Sequence, residues 1–573
     1  MSINKIKADI IFLNARVVNV FTEEVINQAV AVENGYFIGF CDNNKIDEYS
    51  CEKIIDLQGQ YMVPGLIDAH VHIESSMTTP ENFAKAVLLC GTTTCIADPH
   101  EIANVAGIAG IEYMINSAGD SDMNILFALP SCVPATHMET SGSVLDAEKL
   151  KTMINHPKIV ALAEMMNYPG VIFKDPDVMA KIKLAKKALK PIDGHAPGLT
   201  GQDLFAYTGA GILSDHECTD SGEAIEKLRL GMHIMVRQGT CAKNLDDLFP
   251  AINDKTCNRM MWCTDDRHPE EILTKGHIDH IIRKAIAKGL DPVRAIKMGS
   301  INPADYFHIN DAGAIAPGRR ADFIVTRALK DFKIEKVFVK AKLVKENHSP
   351  CHDIVYPEVM NIQNKNIDFS IIADKEGYNC NHSDLKIRVI QAVEDQVVTN
   401  EKICSPLVQN GFIISDPLRD ILKIAVVERY SGKARMGKGF VTGIGLKKGA
   451  IASSVAHDSH NIIVVGVNDR DMARAFEKII DMKGGFAISQ DNAIIESLSL
   501  PVAGLMSDKP MKDVENNMTK IIKSVHSLGS KLKDPFMTLG FLALPVIPKL
   551  KITDHGIVDV ERFEIVDLFV NDK

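Results

Sequence analysis

No stretch of this 573-residue chain approaches the roughly 18 consecutive apolar residues that cross a bilayer, which argues against a helical membrane span. No C-x-x-C pair occurs among its twelve cysteines, as expected for scattered thiols kept reduced in a cytoplasmic protein. Positive charge is not in excess either. Lys and Arg total 64 against 74 Asp and Glu, a net charge of −10 that argues against a nucleic-acid-binding surface. Repeats and low-complexity tracts are missing. The opening "MSINKIKADIIFLNARVVNV" has a short basic start, but Asn14 and Arg16 interrupt its apolar stretch and no small-residue cleavage site follows. A strand is expected there, not a signal peptide. What remains is the composition of a globular protein, 46% hydrophobic and 24% charged, long enough for about two to four domains.

The chain changes texture along its length. Residues 1–62 alternate apolar and polar positions in short runs, "ADIIFLNARVVNV", "QAVAVENGYFIGF" and "KIIDLQGQYMV", and the same texture returns in "GAIAPGRRADFIVTRALKDFKIEKVFVKAKLV". This predicts one small β-domain, a split β-sandwich, built from 1–62 plus 311–355 around an inserted 63–310. The insert alternates strand and helix. Its candidate strands are 61–72, 92–98, 125–132, 158–165, 191–195, 211–216, 233–239 and 259–265, separated by helical patterns such as "ENFAKAVLLC" and "VMAKIKLAKKALK". Eight such units fit an α/β fold of the (β/α)₈ barrel type, with a doubly wound open sheet as the alternative. Residues 385–573 read as a further α+β domain. In it "GKGF" and "GIG" lack phosphate-loop spacing and are expected to be turns.

Polar residues at the strand ends favour the barrel. In "MVPGLIDAHVHIE" the alternation of a strand sends His70 and His72 to the same face, about 7 Å apart along the chain. Asp68 shares their parity and could orient one ring through its second nitrogen. The fourth strand ends in Glu164, the fifth in His195, the sixth in His216 and the eighth in Asp265 and Asp266. Each alone reads more naturally as a structural hydrogen-bonding group. Four histidines and two carboxylates, His70, His72, Glu164, His195, His216 and Asp265, all at strand ends, predict a metal site at a barrel mouth. Six candidates exceed the needs of one catalytic ion and suggest two divalent ions bridged by a carboxylate. Imidazole and carboxylate without thiolate suit Mn²⁺, Fe²⁺ or Zn²⁺.

"PGLIDAHVH", the ligands on strands 5, 6 and 8, and the closing "GAIAPGRRADFIV" resemble the amidohydrolase superfamily. Within it, "HVHIESSM", "ADPHEIANV", "LAEMMNYPGV", "DGHAPGL", "SDHE", "CTDD" and "VVERYSGKARMGKGFVTGIGLKKGAIASSVAHDSHNI" resemble the bacterial adenine deaminases, over nearly the whole chain. The resemblance implies hydrolysis of adenine to hypoxanthine and ammonia in purine salvage, with Mn²⁺ or Fe²⁺ in a binuclear site and Zn²⁺ as a further option. A homo-oligomer, a dimer, is expected, with no nucleic-acid or membrane partner. Many superfamily members carry a carboxylated lysine where this chain has Glu164, which supplies a bridging carboxylate without CO₂.

Attack of hydroxide at C6 needs a base and a proton for N1. Asp265 is expected to ligate metal and shuttle the proton. Asp266 should point the other way, either holding a purine N–H or capping the next helix. Glu101 and Glu74 both lie on the catalytic face. Glu101 is the candidate for N1, and Glu74, His100, Asp266 and His457 are the candidates for substrate binding. For His457 and His460 in "AHDSH", a polar turn between two strands competes with a reach over the mouth. The alternatives are a cyclic amidohydrolase acting on another heterocycle, for which Arg237 is the obvious carboxylate clamp, and a non-catalytic scaffold on the same fold.

Overall fold

The computed structural model describes residues 5–345, 356–373 and 385–570, apart from 120, 241, 358, 363–364, 366 and 395. Residues 346–355 of the expected 311–355 segment, together with 1–4 and 571–573, lie outside the described residues. In chain order the strands begin with β1 (Ile6–Asn19), β2 (Glu24–Glu33), β3 (Tyr36–Cys41), β4 (Tyr49–Asp56) and β5 (Tyr61–Pro64). Then come β6 (Leu66–Val71), β7 (Thr92–Ala97), β8 (Asn124–Leu129), β9 (Ile159–Met165), β10 (Ile192–Gly194), β11 (Ser214–Asp215), β12 (His233–Arg237) and β13 (Met260–Cys263). β14 (Phe323–Thr326), β15 (Ile334–Val339) and β16 (Lys342–Leu343) follow the last barrel helix.

One sheet joins the two flanks in the order β16-β15-β14-β5-β1-β2-β3, with β4 beside β1. Phe12, Phe323 and Phe338 pack there with ring centroids 4.6–5.5 Å apart, so the aromatic core is assembled from residues more than 300 positions apart in sequence. The expected single strand 61–72 is two strands in two sheets. They part at Gly65, whose N–H turns to the Asp322 carbonyl at 2.9 Å while Leu66 bonds Gly91 at 2.9 Å. A Cβ at Gly65 would meet Thr93 Oγ1 at 2.2 Å, so the crossing requires glycine.

β6 to β10 form one parallel ladder and β11 to β13 another. Both seams are bonded. Asp265 N–H reaches His70 O at 2.9 Å and His72 N–H reaches Asp265 O at 3.2 Å, while Leu213 N–H reaches Ile192 O at 3.3 Å. The parallel sheet therefore curls closed into an eight-stranded TIM-type barrel. Every residue of β6 and β7 is buried, as a strand covered on both faces requires. The intervening helices start on conventional caps. Asp175, for example, accepts from Asp177 N and Val178 N at 3.0 Å ahead of Pro176–Lys187.

Beyond residue 385 an eight-stranded sheet runs, edge to edge, through 399–404, 387–392, 436–442, 422–427, 462–466, 450–453, 485–490 and 493–499. Alternation sends Ile424 and Val426 toward helix Met511–Ser527, and Ala425 and Val427 toward helix Asp469–Asp481. The "GKGF" segment is not a turn as expected; it lies within the strand Met436–Thr442. Gly437 is needed because a Cβ there would meet Thr553 O of the neighbouring sheet at 2.0 Å. The "GIG" segment does turn, with Gly443 and Gly445 at φ +95° and +81°. Among the described residues no helix is long and apolar enough to cross a membrane.

Candidate active site

The C-terminal ends of the barrel strands converge, and the side chains expected there meet. His70 Nε2 and His72 Nε2 lie 3.1 Å apart, both side chains buried. Glu164 stands between two groups of imidazoles. Its Oε1 is 3.9 Å from His70 Nε2, 3.4 Å from His72 Nε2 and 3.3 Å from His100 Nδ1. Its Oε2 is 2.6 Å from His195 Nδ1 and 3.3 Å from His216 Nε2. Asp265 Oδ1 lies 3.0 Å from His72 Nε2 and 3.5 Å from His70 Nε2. Burial alone would push the Glu164 carboxyl up, but the charge of His195 and the hydrogen bonds of His100, His195 and His216 hold it well below the ordinary carboxylate range. Burial likewise opposes the Asp265 anion and is overcome by the Arg237 guanidinium and the two histidines of β6.

Several details differ from the sequence reading. Asp68 does not orient a ring of His70. It accepts from the His70 and Thr264 backbone N–H groups at 3.2 and 3.1 Å and from the Thr264 hydroxyl, tying β6 to the end of β13. The second nitrogen of His72 is held instead by the Asp98 carbonyl at 3.0 Å. Asp266 neither points away from the site nor caps a helix. The N-cap of Pro269–Lys275 is His268, without a side-chain bond, while Asp266 accepts from the Ser75 hydroxyl and brings an oxygen within 4.8 Å of His72 and Asp265. The cause is Asp265, whose φ of +56° ends the strand alternation that the opposite-face argument assumed. Arg237 is not free to clamp a substrate carboxylate, because Asp265 and Glu217 already occupy its guanidinium.

The turn 454–461 reaches the barrel mouth. His457 Nδ1 is 2.7 Å from Glu101 Oε1, and His460 Nε2 bonds Glu101 Oε2. Burial opposes both the anion and the cation, yet the pair with Glu101 lifts His457 to about 9, and the two histidines hold Glu101 well below its usual range. Burial, reinforced by the charge on His457, drops His460 to about 4. Glu74 accepts from Ile102 N–H at 3.2 Å, and burial pushes its carboxyl up to about 7. Glu74, Glu101, His457 and His460 all line a cavity between the barrel mouth and the C-terminal segment.

Two residues escaped the sequence reading. Asp98 is fully buried, its Oδ2 lies 3.4 Å from His100 Nδ1, and one of its carboxylate oxygens groups with His70, His72 and Glu164 within 4.8 Å. It directly follows β7, so the strand-end criterion applied to the other candidates would have found it. Glu217 follows His216 directly and gave no periodic signal. The donor set fits divalent ions. Two imidazole nitrogens 3.1 Å apart cannot both carry a proton toward each other, and carboxylate oxygens of Glu164, Asp265 and Asp98 gather beside them.

The fold and this cluster of histidines and carboxylates at the barrel mouth define an amidohydrolase. The family model described as "Amidohydrolase family" matches residues 61–344, and "Adenine deaminase C-terminal domain" matches residues 396–564. "Adenine deaminase" of Desulfatibacillum aliphaticivorans is 50% identical over 570 residues, covering 98% of each chain. "Adenine deaminase" of Methanothrix thermoacetophila is 45% identical over 566 residues, covering 99% of this chain and 98% of that one. The chain belongs to the adenine deaminase family. Among solved structures, a beta-aspartyl dipeptidase from Fervidobacterium islandicum shares 18% identity at a TM-score of 0.45, covering 61% of this chain and 100% of that one.

Proposed function

We propose that the chain hydrolyses adenine to hypoxanthine and ammonia in purine salvage, with two divalent ions held by His70, His72, Glu164, His195, His216 and Asp265. The observation that carries this reading is the division of Glu164, one oxygen toward the histidines of β6 and the other toward His195 and His216. Relatives of near-identical length named adenine deaminase supply the substrate. The nitrogen and oxygen donors suit Mn²⁺, Fe²⁺ and Zn²⁺ alike, and the resemblance to the adenine deaminases favours Mn²⁺ or Fe²⁺. When bound, such ions acidify water so that hydroxide is available at neutral pH.

The remaining work belongs to the chain. Asp265 accepts the proton of the attacking water through Oδ1 and passes it to the departing amine as the C6–N bond breaks. Glu101 delivers a proton to N1. Glu101 draws that proton from the triad it forms with His457, 2.7 Å away, and His460, and the second proton of the water replenishes the triad as the C6 hydroxyl becomes the carbonyl. Glu74, His100 and Asp266 are proposed to hold the purine. His100 also lies 3.3 Å from Glu164, so it is well placed to keep that carboxylate oriented.

The reading assigns 63–310 to the catalytic barrel, 1–62 plus 311–355 to a split β-sandwich, and 385–573 to a C-terminal α+β unit that completes the mouth through its turn 454–461. The protein is proposed to act as a homodimer, which light scattering on the purified protein tests. A cytoplasmic setting is supported by nine described cysteines that are all free thiols. The decisive experiment is ammonia release by Mn²⁺-reconstituted protein against a purine panel. Turnover of adenine is the expected result. Release from a cyclic amide with none from adenine would transfer the assignment to the amidohydrolase alternative.

A further inference from the structure

The candidate centre is not sealed evenly. The side chains of His195, Glu217 and Arg237 are 27, 13 and 11% exposed, against 5% or less for His70, His72, Glu164, His216 and Asp265. On this open side three successive barrel strands deliver a carboxylate, a guanidinium and a carboxylate. Glu217 follows β11, Arg237 ends β12 and Asp265 follows β13. Arg237 Nη1 donates to Asp265 Oδ2 at 2.6 Å and also to Glu217 Oε1, and Nη2 donates to Glu217 Oε2 at 3.0 Å. Glu217 Oε1 in turn lies 3.6 Å from His216 Nε2 and 3.8 Å from His195 Nδ1.

The two oxygens of Asp265 are therefore divided between two tasks. Oδ1 faces His70 and His72, and Oδ2 is committed to the guanidinium. Asp265 needs such a tie. Its backbone is left-handed at φ +56°, so no strand pleat fixes its side-chain direction, and the terminal torsion of an aspartate is intrinsically broad. A guanidinium is planar and offers donors in a fixed fork, so one Arg can grip one carboxylate through both Nη nitrogens and hold an oxygen of a second in a fixed direction, which the point charge of a lysine cannot do.

We propose that Arg237 is a positioning residue for Asp265, with Glu217 as its anchor: it takes Oδ2 out of service and leaves Oδ1 as the single oxygen that meets the metal and the travelling proton. The inference rests on the adenine deaminase reading and deepens it. It also accounts for a cation beside a site built to hold cations, because Glu217 and Asp265 together more than cancel its charge.

The test uses the Mn²⁺-loaded full chain with Arg237→Ala, Arg237→Lys and Glu217→Gln. Two readouts are taken, steady-state kinetics on adenine and the electron paramagnetic resonance spectrum of the bound manganese without substrate. For Arg237→Ala, kcat should fall about 10²-fold, the cost of a misplaced reacting group, while KM changes less than about threefold. Added ethylguanidinium should recover at least about a tenth of wild-type kcat and restore the manganese spectrum, because it can refill the vacated fork. Arg237→Lys should recover less than the added guanidinium, and Glu217→Gln should show a smaller loss in the same direction. A wild-type kcat and spectrum in Arg237→Ala would overturn the proposal. So would a rise in KM at constant kcat, which marks a substrate clamp, or full activity in Arg237→Lys, which marks charge alone. If Arg237→Ala does not fold, the altered spectrum expected of Arg237→Lys decides. The spectrum does not depend on turnover, so a wild-type protein inert on adenine would sink the functional reading and leave the positioning proposal separately decidable.

Discussion

Replacing Glu164 by Gln is the sharpest perturbation of the proposed binuclear site. The change preserves shape and removes one charge, and the structure gives that charge an unusual load. Five imidazole nitrogens lie within 3.9 Å of the carboxylate, His70, His72 and His100 on Oε1 and His195 and His216 on Oε2. An amide has one acceptor oxygen, so it can serve one side of the cluster and must turn an NH₂ toward the other. Removing one partner of a buried ion pair costs about 3–5 kcal/mol, and each 1.4 kcal/mol is tenfold in binding. The affinity of one of the two ions should therefore fall by roughly 10²–10⁴. In protein dialysed against micromolar Mn²⁺, elemental analysis should count about two ions per wild-type chain and about one per Glu164→Gln chain, with kcat on adenine reduced in step. Excess Mn²⁺ should restore part of the loss, because the other ligands remain. Two ions per chain and unchanged kcat in the variant would refute the bridging argument outright.

Further perturbations separate the other roles. Asp265→Asn should lower kcat by about 10²–10⁴, the usual worth of a general base, with weakened metal binding. Asp266→Asn should keep both ions and act on KM, and loss of metal from it instead of from Asp265→Asn would exchange the two assignments. Adenine should be turned over and adenosine poorly or not at all, and efficient turnover of adenosine alone would overturn the substrate. Lys551 is buried without a carboxylate partner, donating to the Val397 and Phe541 carbonyls at 2.7 and 2.9 Å, and burial lowers its amine to about 7. Between there and the unfolded value of about 10.4 the unfolded chain binds more protons than the folded one, so this group makes stability rise with pH across that window. Denaturant melts at pH 7 and 9 should show the rise in wild type and a flatter profile in Lys551→Met; equal slopes would refute the assignment.

How far the sequence carries follows from which signals are local. The eight barrel strands were legible because each is a short apolar run closed by a polar residue, and the TIM-type barrel follows from their ends converging. His70, His72, Glu164, His195, His216 and Asp265 sit at those ends, so one rule singled out all six, and the structure brings their side chains within a few ångströms of one another. Gly65 shows where the rule fails. The run "YMVPGLIDAHVH" opens on seven unbroken apolar residues, yet it serves two sheets, and only the approach of Thr93 from the neighbouring β7 reveals the break. "GKGF" misled in the opposite direction. Glycines normally announce a turn, but here Gly437 makes room for Thr553, over 100 residues away.

The contacts between distant segments were the least legible, and the reason is the same for each. Periodicity ranks a residue by its own element, whereas Glu101, His457 and His460 acquire their meaning from a partner more than 350 positions away. Nothing in "AHDSH" separates a polar surface turn from a buried grip on a carboxylate until the two halves of the chain are folded together. Asp265 and Asp266 make the point at the scale of one residue. Strand parity assigned them opposite faces, and that would hold if the strand ran on, but β13 ends at Cys263 and Asp265 is left-handed. The backbone that hands Oδ1 to the histidines also swings Asp266 back to Ser75 at the rim. A site made where strands stop is governed by the geometry of stopping, which is why Arg237 and Glu217 matter: where the pleat no longer orients Asp265, a guanidinium from the next strand does.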